Sequence, residues 1–85
     1  MSYPDLFAQR IKQLCKTRGI TINKLATLCG LKQSTIDNIV RGTSKNPKIK
    51  TLHRIAGVFN MTLSEFLDFP ELNDYSIDDE EEADN

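Results

Sequence analysis

This 85-residue sequence predicts an all-α fold of five short helices followed by a disordered acidic C-terminal tail. Three observations lead there. Through residues 1–70 the apolar side chains recur three and four positions apart, the period of a helix with one buried face. Gly19, Gly30, Gly42, Pro47 and Pro70 interrupt that pattern at short intervals, where helices stop. Thr21 and Thr62 stand where helix-capping residues are needed.

The first helix is expected to begin near Pro4, because proline suits the first helical turn and Asp5 there faces the positive end of the dipole. Phe7, Ile11, Leu14 and Cys15 fall on one face, and Gly19 is a natural stop. Thr21 opens the second helix as N-cap, with Ile20 and Leu25 as a hydrophobic staple. Leu25, Ala26 and Cys29 are its apolar face, and Gly30 ends it. Only Leu31 and Lys32 precede a third helix over 33–41, whose apolar set is Ile36, Ile39 and Val40. Leu31 and Ile36 have staple spacing about Lys32, but lysine caps poorly, so this start is less clearly marked. Gly42 closes the helix, and residues 43–48, with Asn46-Pro47, form a loop. Ile49, Leu52, Ile55, Ala56 and Phe59 are the expected buried stripe of a fourth helix. Thr62-Leu63-Ser64-Glu65 is a capping box, stapled by Met61 and Phe66, and opens a fifth helix that ends before Pro70.

Composition narrows the functional classes. Apolar residues make up 39% of the chain and tryptophan is absent, which suits a small core without a large ligand cavity. No apolar run approaches the ~20 residues that span a bilayer. The N-terminus lacks a basic start followed by an apolar stretch, so a cytoplasmic location is expected, with Cys15 and Cys29 reduced. One histidine and no Cys-x-x-Cys pair argue against a metal site, and no nucleophile–base pair argues for an enzyme. No cofactor box is visible. His53 reads as a surface or boundary residue of the fourth helix, and Asn60-Met61-Thr62 as a chance sequon.

The net charge of −1 hides a segregation. Residues 1–70 hold all eleven Lys and Arg with only Asp5, Asp37, Glu65 and Asp68, a formal +7. Residues 71–85 hold eight acids and no base, a formal −8, with Leu72, Tyr75 and Ile77 scattered among them. The expected organisation is therefore a helical domain over 1–70 and a disordered tail over 71–85. A basic body suits a polyanionic partner, and an acidic tail suits something that modulates it. Composition alone is satisfied by a tail that only aids solubility.

The informative feature is the helix pair 21–29 and 33–41, joined by a glycine and little else. So short a link makes two helices cross steeply. The crossing needs a small residue, which Ala26 supplies, and a chain reversal, which Gly30 permits. Ile36 is placed to fill the angle. This spacing is the helix-turn-helix pattern.

Residues 6–67 resemble the Cro/lambda-repressor-like helix-turn-helix family of small bacterial and phage regulators. The matching stretches are Arg10-Ile11-Lys12-Gln13-Leu14, Ile20-Thr21-Ile22-Asn23-Lys24-Leu25-Ala26 and Gly30-Leu31-Lys32-Gln33-Ser34-Thr35-Ile36. Arg41-Gly42, Asn46-Pro47, Thr51-Leu52 and Met61-Thr62-Leu63-Ser64-Glu65-Phe66-Leu67 continue the match. The resemblance implies a five-helix lambda-repressor-like domain that binds double-stranded DNA, as a repressor, with helix 33–41 in the major groove. Gln33 aligns with a residue that often reads a base in such repressors. Ser34 and Asn38 point the same way, and Lys32 and Thr35 lie within reach of bases or phosphates. Thr21 and Ile22, at a helix N-terminus, are expected on a phosphate. Arg41, Lys45, Lys48 and Lys50 would meet the backbone. On helical position alone Gln33, Ser34 and Thr35 are a solvated first turn, and the lysines a soluble face; the motif favours contact.

One departure stands out. Many relatives pair an arginine on the first helix with a glutamate late in the third, and Cys15 and Val40 occupy those positions here. Both charges are replaced together, so neither is stranded. Dimerisation, implied by the family, is expected to be weak or dependent on DNA, since nothing beyond the fifth helix is available for it. The competing reading is an antitoxin-like or adaptor protein whose acidic tail binds a basic protein partner.

Overall fold

The computed structural model describes residues 2–79, and every regular element among them is helical. Helix α1 (Tyr3–Arg18) starts at Ser2, where the Asp5 carboxylate closes the cap. The Ser2 backbone N–H and its hydroxyl both donate to Asp5 Oδ2, at 3.1 and 2.9 Å. Those bonds, the backbone one first, hold the Asp5 carboxyl below its ordinary pKa. Helix α2 (Ile22–Cys29) is capped as its sequence implies, with Thr21 Oγ1 accepting the Lys24 N–H at 3.0 Å. Gly30 then turns the chain with φ of +70°, and the Leu31 N–H reaches back to the Ala26 carbonyl at 3.2 Å.

Helix α3 (Gln33–Val40) follows, and its N-cap, Lys32, supplies no side-chain hydrogen bond. After the loop come α4 (Ile49–Val58) and α5 (Leu63–Leu67). The capping box at α5 is complete: Thr62 Oγ1 accepts from the Glu65 N–H at 3.0 Å, and Glu65 Oε1 from the Thr62 N–H at 2.8 Å. The five expected helices are all present. Helix α1 packs on α3, α2 lies between α3 and α4, and α5 rests on α4.

The core is built from the expected faces: Phe7, Ile11, Leu25, Ala26, Ile36, Ile39, Leu52, Ile55, Phe59 and Phe66 are all buried. Among the described residues no polar or charged residue is buried. Cys15 and Val40 lie in the same apolar cluster, so the substitution of both charged partners leaves a continuous hydrophobic interior. Burial also pushes both thiols, Cys15 and Cys29, above the ordinary cysteine pKa. One core assignment is corrected. Ile49 is 59% exposed, because as the first residue of α4 it precedes the turn at which that helix meets its neighbours.

Of the segment 71–85, residues up to 79 are described, and they continue the fold. Pro70–Asn73 form a one-turn helix, α6, and Ile77–Asp79 a 3₁₀ turn. A row of rings seats this stretch against α1. Tyr75 stands 5.5 Å from Tyr3, Tyr3 5.3 Å edge-on from Phe7, and Phe7 6.4 Å edge-on from Phe69. Leu72 packs on the same cluster. Residues 80–85, where the rest of the expected disordered tail falls, lie outside the described residues.

Candidate nucleic-acid interface

Helix α3 has two faces. Ile36, Ile39 and Val40 point into the core, which turns Gln33, Ser34 and Asn38 outward, and all three are exposed. Lys32, one residue ahead, is exposed as well. Thr35 differs: it is half-buried, because its position rotates it toward the α3 flank. The helix thus offers one polar edge running through residues 33, 34, 37 and 38.

Asp37 belongs to that edge and was not among the expected site residues. Gln33 Nε2 donates to Asp37 Oδ1 at 2.9 Å. The signal was in the sequence, since residues four apart are neighbours on a helix surface.

The end of α3 is fixed by a knot of hydrogen bonds on one carbonyl. Asn38 O accepts from the Thr43 and Ser44 N–H groups and from Thr43 Oγ1, at 3.0, 3.1 and 3.0 Å. Gly42 makes this reversal with φ of +76°. Its missing side chain also matters, since a Cβ there would lie 2.7 Å from Asp5 Oδ1. The start of α1 and the end of α3 are therefore in close contact, and the loop leaves α3 in a defined direction. That loop and the first turn of α4 carry Lys45, Lys48 and Lys50, which with Arg41 are all exposed.

At the start of α2, Thr21 is exposed, but its hydroxyl is engaged as the cap. The Ile22 side chain packs on the core, so what it can offer a phosphate is a backbone N–H. Lys24, exposed in the same turn, was not singled out from sequence.

Two other arginines of the basic body have different work. Arg10 donates from Nε to the Phe66 carbonyl at 2.9 Å and from an Nη to the Glu65 carbonyl at 3.0 Å. Arg18 donates from an Nη to the Phe59 carbonyl at 2.7 Å. Each satisfies carbonyls at a helix end, which engages one or two of the five N–H donors of its guanidinium. No group of three metal-ligating side chains, and no helix long and apolar enough to cross a membrane, occurs among the described residues.

A profile of the Cro/C1-type HTH DNA-binding domain matches residues 10–71. The chain belongs to that family. It is 32% identical over 63 residues to the HTH-type transcriptional regulator SinR of Bacillus subtilis (strain 168), a match covering 74% of this chain and 57% of that protein. The SinR of Bacillus licheniformis is 29% identical over 70 residues, covering 82% of this chain and 63% of its own length. The chain therefore spans less than two thirds of either curated relative. Among solved structures, prophage Lp1 protein 11 superposes with a TM-score of 0.78 at 33% identity, covering 88% of this chain and all of that one. An HTH_3 family transcriptional regulator from Vibrio cholerae gives 0.68 at 32% identity, over 85% of this chain and 38% of its own. This Cro/C1-type domain thus has the fold that the α2–α3 spacing predicted.

Proposed function

We propose that this Cro/C1-type domain is a sequence-specific, double-stranded-DNA-binding transcriptional regulator, acting as a repressor, with α3 in the major groove. The observation that carries this reading is the polar edge of α3 flanked by exposed cations, on a domain whose interior is wholly apolar. Gln33 presents an amide at the entrance of the helix, and a glutamine there can pair in bidentate fashion with adenine N6 and N7. Ser34, Asn38 and Lys32 adjoin it. Thr35, half-buried, is the weakest of the five as a base reader. Arg41, Lys45, Lys48 and Lys50, with the N–H groups of Thr21 and Ile22, contact phosphates and set register without reading sequence.

Two copies bind a roughly palindromic site, with a weak self-association that DNA strengthens. The relatives named as transcriptional regulators support the regulatory role and say nothing of the number of copies bound.

Selection of bound fragments from random duplex DNA identifies the site, and two substitutions then test the assignment. Gln33→Ala lowers preference at one base position and costs ~1–3 kcal/mol on the specific site. Lys45→Ala weakens all duplexes alike and reduces the salt slope by about one unit. Equal losses on specific and random DNA for Gln33→Ala would remove the base-reading role.

A further inference from the structure

The hydrogen bond between Gln33 and Asp37 has a consequence for readout. Gln33 is the first residue of α3 and Asp37 lies one turn on, along the same polar edge. A glutamine amide can be flipped about its last torsion, exchanging oxygen for nitrogen. An ionised carboxylate accepts only, so Asp37 can take the NH₂ side of that amide and never the carbonyl side. The bond to Asp37 thereby favours one flip of the amide before any ligand arrives. One Nε2 hydrogen is held at 2.9 Å by Asp37 Oδ1. The second Nε2 hydrogen and Oε1 remain, one donor and one acceptor, the pair that meets adenine N7 and N6 in the major groove.

The carboxylate needs such a reason to be there. Asp37 lies beyond the first turn, where an acid would be favoured by the helix dipole. On a face turned toward phosphates its charge is otherwise unfavourable. An exposed glutamine also loses rotamer freedom when it docks, and a partner on its own helix removes part of that cost in advance.

We propose that Asp37 is a specificity-determining positioning residue: it holds the Gln33 amide in the one orientation that offers Oε1 and a single N–H to an adenine. The inference rests on the base-reading role given to α3 above.

The test uses the full chain and the duplex selected from random DNA, with single-base-pair variants of that duplex. Affinities are compared for the unsubstituted protein, Gln33→Ala, Asp37→Ala, Asp37→Glu and the Gln33→Ala/Asp37→Ala double variant, with thermal unfolding establishing that each is folded. Gln33→Ala should lose about tenfold or more of the preference at one A·T pair. Asp37→Ala should lose about three- to tenfold at that same pair and nothing further in the Gln33→Ala background. Asp37→Glu, still a pure acceptor, should restore most of the preference. The proposal is overturned if Asp37→Ala changes affinity for every duplex by one common factor, which is a simple charge effect. It is overturned equally if the lost preference falls at another base pair, or if the loss persists undiminished without Gln33. Should Gln33→Ala leave preference intact at every position, the base-reading role itself fails, and this inference with it.

Discussion

Replacing Arg10 by methionine should destabilise the domain by about 2–3 kcal/mol. The substitution keeps the apolar stem and removes the guanidinium. That group spans two helices, leaving α1 to donate to the Phe66 and Glu65 carbonyls at 2.9 and 3.0 Å. These carbonyls belong to the last turn of a five-residue helix, which has few internal bonds of its own. A hydrogen bond to a charged group contributes about 1.5–3 kcal/mol; the part-buried bond to Phe66 stands at the lower end of that range, and the exposed bond to Glu65 adds little. The guanidinium also lies over the Phe69 ring at 5.0 Å and the Phe66 ring at 5.8 Å, which adds about 0.5–1 kcal/mol. For a domain of this size the loss corresponds to a fall in Tm of roughly 10–20 °C. Urea unfolding followed by circular dichroism should show a lower midpoint at unchanged slope. Arg10→Lys keeps the charge but not the fork, and should lose more than half as much. A change within about 0.5 kcal/mol for Arg10→Met, the range of an ordinary surface substitution, would refute the idea that this arginine ties α5 to α1.

Further outcomes follow from the ends of the helices. Gly42→Ala should cost about 2 kcal/mol, from the left-handed backbone and from displacement of Asp5 out of its cap; Gly30→Ala, with open space around its Cβ position, should cost about 1 kcal/mol less in the same unfolding assay. The depressed pKa of Asp5 stabilises the fold above the ordinary aspartate range and is lost as pH falls through the folded-state value. Asp5→Asn should therefore lower Tm at pH 7, and the gap to the unsubstituted protein should close below about pH 4. Truncation after Asp79 should leave Tm unchanged and tighten binding to non-specific duplex at low salt, whereas truncation after Phe69 should lower Tm, as followed by calorimetry and fluorescence anisotropy.

The parts of this fold that were legible in the sequence are those fixed by local chemistry. Ala26, Gly30 and Ile36 define the α2–α3 turn because a short link admits only a small crossing residue and a reversible backbone. Thr62 and Glu65 announce α5 through bonds between residues three apart. The seat of residues 70–79 was not legible. Leu72 and Tyr75 among acids have the composition of a disordered segment, and what holds them is Tyr3, Phe7 and Phe69, distant in sequence. The same distance hid the roles of Arg10 and Arg18, whose carbonyl partners lie about 40 to 55 residues away. From sequence alone they were two charges in a basic body. Ile49 fitted the apolar stripe of α4, but periodicity does not say at which turn a helix first meets its neighbours. Asp37 is the opposite case: its pairing with Gln33 is local, between residues four apart on one helix, and the sequence carries that signal.

Seating residues 70–79 on α1 moves the boundary between basic body and acidic tail. Through Asp79 the chain carries eleven basic and eight acidic residues, a formal +3, and Glu80, Glu81, Glu82 and Asp84 carry the remaining −4. The cations are therefore already partly balanced within the described fold, and the terminal acids are fewer than the composition first suggested. Their anchor is the ring contact of Tyr75 with Tyr3, at the end of α1 where Asp5 meets Gly42. Residues 80–85 follow Asp79 directly, so their four acids stay covalently tethered to the basic body. A tethered segment of four acids acts at a local concentration in the millimolar range for short linkers, but its exposed charges are screened over ~10 Å at 0.1 M salt. The expected effect is competition with phosphate contacts, with base contacts left alone. Removing residues 80–85 should tighten random DNA more than the selected site, and the difference should vanish as salt is raised. Equal affinities at low salt, for a truncated protein with unchanged Tm, would leave the terminal acids without a role in DNA binding.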